Sequence, residues 1–226
     1  MVKIDNVYQK VLAIVNKEQR GYITPQEFNL FADHAQMDIF EQYFYDINQF
    51  SRVPGNDTDY SDMINNLEEK IATFEKIEQL TTFVNPYYKK PSDVYRVNSI
   101  QNIFGEIERV TQKEYLNIQL APLAKPTLKR GVYIDSSQGF RIYPNLRRKT
   151  YLHYIKRPVE PKWGYVIVGE HALYEPDDSI NFELHASEEN NLVVKILALA
   201  GISIKDPSVY QSAIAEDNKN IQQQKA

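Results

Sequence analysis

Gly131-Val132-Tyr133-Ile134-Asp135-Ser136-Ser137-Gln138-Gly139-Phe140-Arg141-Ile142-Tyr143 decides the fold class. Two short alternating runs rich in β-branched and aromatic residues flank Ser137-Gln138-Gly139, a hairpin tip. Further runs of the same kind lie outward from this hairpin. On the C-terminal side they are 151–155 and 165–168, with 172–174 as an added edge strand. On the N-terminal side they are 96–104 and 106–110, around a turn at Gly105. Residues 80–95 read as extended, because Pro86 and Pro91 disfavour helix. Thr111-Gln112-Lys113-Glu114 is a capping box that opens a short helix to about Gln119, and a Pro-containing loop follows at 121–126. Together these runs predict an antiparallel sheet.

Helical periodicity governs both ends of the chain. Val7, Tyr8, Val11, Leu12, Ile14 and Val15 give 5–16 a helical spacing that Gly21 breaks. Thr24-Pro25-Gln26-Glu27 combines a cap, a proline at the first helical position and a capping-box carboxylate, which predicts a helix to about Phe50. Its apolar set, Phe28, Phe31, Ala32, Ala35, Ile39, Tyr43, Phe44 and Ile47, is broad enough for more than one neighbour. A turn cluster at 53–57 precedes a third helix over 60–79, on Ile64, Leu67, Ile71, Phe74 and Ile77. Near the C-terminus, Leu192, Val193, Ile196, Leu197 and Leu199 predict a helix over 188–200 with Gly201 as its stop, and Asp206-Pro207 starts another. From Glu216 the chain is polar, with no apolar stripe of its own. The expected class is α+β: an N-terminal helical part (1–80), a small antiparallel β domain (81–185), and C-terminal helices returning to the bundle with an extended polar tail (186–226).

The 226 residues are enough for a real core. Hydrophobic residues at 42% and charged residues at 25% are ordinary for a soluble globular protein. With no cysteine, disulfides and thiolate metal sites are excluded. Met1-Val2-Lys3-Ile4-Asp5 lacks the basic-then-apolar order of a secretory leader, and no apolar run approaches the ~20 residues of a membrane span, so no membrane is expected. The net charge of −4 argues against a dedicated nucleic-acid binder but suits a wall that DNA slides past. The 16 Tyr and 10 Phe, against a single Trp, suit half-buried interface surfaces as well as a core.

Motifs for chemistry are sparse. Eight singly scattered glycines form no phosphate loop or dinucleotide fingerprint. His34, His153, His171 and His185 form no metal-spaced pair. Asn56-Asp57-Thr58-Asp59-Tyr60-Ser61-Asp62 is acidic but lacks the glycine and glutamate of a calcium loop, and reads as a solvated turn and helix cap. Asp177-Asp178 after Pro176 is likewise a turn. Basic clusters stand at Lys89-Lys90, Lys129-Arg130 and Arg147-Arg148-Lys149, the last a candidate charged contact loop. No catalytic residue, cofactor site or metal site is expected.

Several segments, taken in order, resemble a known family. They are Val15-Asn16-Lys17-Glu18-Gln19-Arg20-Gly21 with Ile23-Thr24-Pro25-Gln26-Glu27-Phe28-Asn29, then Ser92-Asp93-Val94-Tyr95-Arg96-Val97, Arg141-Ile142-Tyr143-Pro144, Tyr154-Ile155-Lys156-Arg157-Pro158, and Phe182-Glu183-Leu184-His185 before Glu188-Glu189. They are similar to the head–tail connector, or adaptor, proteins of short-tailed phages, especially those of the crAss-like kind. The resemblance implies a structural virion protein, not an enzyme. It would be assembled in the host cytoplasm into a homo-oligomeric, dodecameric ring beneath the portal protein and against other tail ring proteins, forming a duct for double-stranded DNA. It also gives the polar tail, Glu216 with Asn220, Ile221, Gln222, Gln223 and Gln224, a role in docking on a partner. Two other readings compete. A DNA-binding or packaging accessory protein would use Arg147, Arg148 and Lys149, and an enzyme would need a site assembled from distant residues.

Overall fold

The computed structural model describes residues 1–17, 23–50, 58–145, 149–169, 171–204 and 215. Five α-helices occur among them: α1 (Ile4–Lys17), α2 (Pro25–Phe50), α3 (Thr58–Ala72), α4 (Gln112–Leu120) and α5 (Glu189–Ile204). The strands are β1 (Glu75–Gln79), β2 (Phe83–Val84), β3 (Tyr87–Tyr88), β4 (Val94–Asn102), β5 (Gly105–Arg109), β6 (Val132–Ser136), β7 (Gly139–Tyr143), β8 (Thr150–Lys156), β9 (Tyr165–Val168) and β10 (His171–Tyr174). The chain forms two compact units, Met1–Thr73 with Pro158–Ala226, and Phe74–Arg157.

In the first unit α5 packs on α1 and α2, and α3 packs on α2. The periodic residues of the sequence meet there: Val7, Tyr8, Val11 and Val15 from α1, Phe28, Ala32, Ala35, Ile39 and Tyr43 from α2, and Leu192, Val193, Ile196 and Leu197 from α5 are all buried. The Thr24 capping box forms as read, with the Glu27 amide donating to Thr24 Oγ1 (3.3 Å) and the Thr24 amide donating to Glu27 Oε2 (2.9 Å). Those bonds hold the Glu27 carboxyl below its ordinary range. Two buried polar side chains of this unit are well matched. Gln36 donates to the Val159 carbonyl (2.8 Å) and accepts from the Glu183 amide (3.1 Å), while buried Glu188 pairs with Lys70 (2.6 Å) and accepts from Asn191 (2.7 Å).

The second unit is an eight-stranded sheet of order β1-β8-β4-β5-β6-β7-β3-β2. Leu80, Tyr88, Ile100, Ile107, Tyr133, Phe140, Ile142, Leu152 and Tyr154 form one buried cluster on one face of this sheet. A flat sheet could not bring side chains from so many strands together, so the sheet curls into a half-barrel. On its other face Val110, Val132 and Ile134 pack under Tyr115 and Ile118 of α4 and beside Tyr143.

The structure corrects the sequence reading at five places. The β part is large rather than small, because Glu75–Gln79, assigned to helix, joins it and the stretch read as extended supplies two further strands. The helix expected to reach residue 79 ends at Ala72, and Glu75–Gln79 pairs along its whole length with β8. Phe74 and Ile77 happen to continue the helical period, but five paired backbone positions outweigh it. The sheet is mixed rather than antiparallel, since β5 and β6 run parallel and α4 lies in the crossover between them, as a parallel connection requires. Residues 165–168 and 172–174 do not extend the sheet but pair with each other as a separate two-stranded ribbon. Finally, Gly201 does not stop the last helix, which runs on to Ile204 with Gly201 buried inside it. A helical glycine costs only about 1 kcal/mol, which packing offsets.

Candidate interaction surfaces

The ribbon formed by β9 and β10 belongs to the helical unit and is anchored at its base. Trp163 is buried there, with Tyr8 against its ring (centroids 4.0 Å) and Tyr165 and Tyr174 stacked on it (5.8 Å each). Its indole N–H donates to Asp5 Oδ1 (3.1 Å), its amide donates to Asn29 Oδ1 (2.8 Å), and its carbonyl accepts from Asn29 Nδ2 (3.3 Å). Next to it, Gly164 donates to Ser179 Oγ (2.9 Å), which in turn donates to the Glu175 carbonyl (2.6 Å). The backbone pairs Lys162 with Ile180 in both directions and closes Gly164 onto Glu175. Each buried donor at the base therefore has a partner, and the ribbon leaves the helices from a stiff foot.

Beyond the foot the ribbon is apolar on both faces. Register places Val166 opposite Leu173 and Val168 opposite His171, so these four side chains share one face. Tyr165, Ile167, Ala172 and Tyr174 share the other, where only the two tyrosines reach the tryptophan. Val166, Ile167, Val168 and Leu173 are exposed, with Ile167 at 67% of its full surface. A solvated strand ordinarily alternates apolar with polar residues. The run Tyr165-Val166-Ile167-Val168, read from the sequence as one of the alternating runs, is instead apolar at every position.

The sheet unit carries a second exposed apolar surface. Tyr115 and Ile118 turn α4 towards the sheet, with Tyr115 stacked on Tyr143 at 3.9 Å. Leu116 and Leu120, one helical turn apart, face outward, and Leu123 and Leu128 in the following loop are exposed too. Leu123 is fully exposed at 101% and Leu120 is exposed at 82%. The sequence reading missed this platform, although Leu116 and Leu120 stand at helical spacing opposite the residues that pack. Lys113 on α4 and Lys125, Lys129 and Arg130 in the loop after it are exposed, and Glu114 is turned back to cap Thr111.

A polar clamp joins β1, β4 and β8 at the other end of the sheet order. The Tyr154 hydroxyl donates between Asp93 Oδ1 (3.0 Å) and Glu78 Oε2 (3.1 Å), and Lys76 bridges the same two carboxylates (3.0 and 3.2 Å). Burial pushes the Tyr154 phenol up to about 12, helped by the two carboxylates, and its hydrogen-bond partners push Lys76 up as well. Burial raises Asp93, but the bonds from Lys76 and Tyr154 outweigh it and hold the carboxyl below its ordinary range. Activated tyrosine or lysine nucleophiles and bases are shifted the other way. The cluster is arranged to hold strands, with its protons kept in place.

The other residues singled out from the sequence stand as follows. Lys149 is exposed just ahead of β8, while Arg147 and Arg148 lie outside the described residues. So do Glu216, Asn220, Ile221, Gln222, Gln223 and Gln224, as well as the helix expected from Asp206 and the acidic turn at Asn56 and Asp57. Lys90 pairs with Asp135 (2.6 Å) beside the Phe140 ring. His34 is exposed on α2, His153 lies in β8, His171 lies on the ribbon, and His185 accepts from the Ser187 amide in the turn before α5. Among the described residues, no group of three or more His, Asp or Glu side chains is placed to hold a metal ion, and no helix is long and apolar enough to cross a membrane. No known family matches the chain in a scan of protein families, and no curated protein matches it in a sequence search.

Proposed function

We propose that this chain is a structural subunit that assembles into a homo-oligomeric ring, the adaptor between portal and tail of a short-tailed phage, around a duct for the genome. The observation that carries the reading is the ribbon: an anchored element on which Val166, Ile167, Val168 and Leu173 each leave about half or more of their surface exposed. Leaving four large aliphatic side chains in water is costly in a free monomer, at about 25 cal/mol per Å² of apolar surface. A partner that removes them from water recovers that cost. The order of segments that resembles connector proteins is what suggests copies of the same chain and the portal as partners. The net charge of −4 suits a wall past which DNA moves without sticking.

Sedimentation of the purified chain over a range of concentrations tests this reading, with electron microscopy of the heaviest species. Closed particles with a central opening are expected, and a chain that sediments as a monomer at every concentration, with or without portal protein, contradicts it. The second reading, DNA binding through Arg147, Arg148 and Lys149, is separated by retention on duplex DNA. Retention at low salt that falls steeply as salt rises, and is abolished by Arg147→Glu with Arg148→Glu, would favour it over the ring.

A further inference from the structure

A ring of identical subunits uses a heterologous contact: one patch of each copy meets a different patch of the next. The chain carries two exposed apolar surfaces of different shape. One is the projecting ribbon with Val166, Val168 and Leu173 on one face. The other is the broad leucine platform of Leu116, Leu120, Leu123 and Leu128 around α4. Their polar surroundings are opposite in sign. Close to the ribbon in the chain stand Glu160 and Asp177, both exposed, and half-buried Glu175, while Lys162 is paired with Asp178 (2.7 Å). Exposed Lys113, Lys125, Lys129 and Arg130 neighbour the platform leucines in the chain, and Glu114 is engaged with its own helix cap.

We infer that the ribbon of one copy docks on the α4 platform of the neighbouring copy, head to tail, and that this contact is the repeating interface of the assembly. The inference rests on the ring reading and names the surfaces that build it. Two patches of like chemistry on each copy would favour a symmetric pair instead. Here pairing ribbon with ribbon sets acid against acid, and pairing platform with platform sets base against base, both of which repel. Ribbon on platform places apolar side chains together at the centre and opposite charges at the rim, the usual arrangement of a specific interface.

The test uses two full-length variants. Val166→Ser with Val168→Ser and Leu173→Ser blunts the ribbon, and Leu116→Ser with Leu120→Ser and Leu123→Ser blunts the platform. All six side chains are exposed, and circular dichroism and the melting temperature check that each variant keeps its fold. Each alone is expected to associate at least about 30-fold more weakly than the unaltered chain, the loss of a central anchor cluster. Mixed in equal amounts, the two are expected to form a dimer and nothing larger, because each supplies the surface the other lacks. A second pair leaves the apolar residues intact: Glu160→Lys with Asp177→Lys weakens assembly, Lys125→Glu with Lys129→Glu weakens it too, and a chain carrying all four changes recovers it. If the unaltered chain forms rings and the blunted variants still do, the docking inference fails and the ring stands. If the platform variant alone forms dimers, the contact is ribbon on ribbon and the inference is overturned. An unaltered chain that stays monomeric at every concentration, both alone and with portal protein, overturns the ring and the docking together.

Discussion

Gly139 follows the hairpin tip read from Ser137-Gln138-Gly139, and its φ of +135° lies where side chains with a Cβ are strained. A Cβ there would also stand 2.2 Å from the Tyr88 carbonyl oxygen, so β3 lies against the glycine itself. Gly139→Ala is therefore expected to destabilise the sheet unit by several kcal/mol, on the order of 3 or more, read as a fall in the urea midpoint; an unchanged midpoint would contradict the close approach. Trp163 is the residue whose role was least legible in the sequence. Nothing local marks the single tryptophan as the foot of a ribbon, because Tyr8, Asp5 and Asn29 reach it from more than a hundred residues away. Trp163→Ala is expected to cost about 3–5 kcal/mol, measured by thermal unfolding, and to weaken assembly even where the fold survives.

At the scale of elements, local chemistry was readable and long-range pairing was not. Both capping boxes, Thr24 with Glu27 and Thr111 with Glu114, form because three residues suffice to make them. The hairpin of β6 and β7 forms for the same reason. The strand β1 was hidden, since Phe74 and Ile77 mimic a helix and the pairing that decides its state comes from β8, far along the chain. The clamp of Lys76, Glu78, Asp93 and Tyr154 helps hold that strand, and it makes the sheet unit sensitive to acid. The Asp93 carboxyl is lowered in the folded state, so its contribution is complete above the ordinary carboxylate range and is lost as pH falls through that range and below it. Urea midpoints measured between neutral pH and pH 3 should fall for the unaltered chain and fall less for Asp93→Asn; parallel curves would remove Asp93 from the account. In the helical unit, Lys70→Met leaves Glu188 buried without its cation and is expected to cost about 3 kcal/mol in equilibrium unfolding. A change within ±0.5 kcal/mol would show that its neighbours Asn191 and Tyr43 satisfy that carboxylate without the cation.

Across the whole molecule, the class α+β was legible because the period of the apolar residues changes from helical to alternating near Leu80 and back again near Glu188. The size of the sheet and the separateness of the ribbon were not, because both depend on which strands find each other. The surfaces proposed to build the ring were only half visible. The unbroken apolar run of β9 is plain in the sequence, whereas the leucines of α4 become a surface only once Tyr115 and Ile118 have turned the helix onto the sheet. The proposal that Glu216, Asn220, Ile221, Gln222, Gln223 and Gln224 dock on the portal rests on the resemblance alone, since they lie outside the described residues. Removing 216–226 is expected to leave the melting temperature of the chain within a few degrees and to weaken its complex with portal protein. A large loss of stability in the truncated chain would assign that segment to the fold instead. Native mass spectrometry of the full chain, alone and mixed with portal protein, tests the central claim most directly. The account predicts a single closed species whose mass is a whole multiple of the 26.4 kDa chain, formed by the chain itself or on the portal. A monomer that persists in both samples would contradict it.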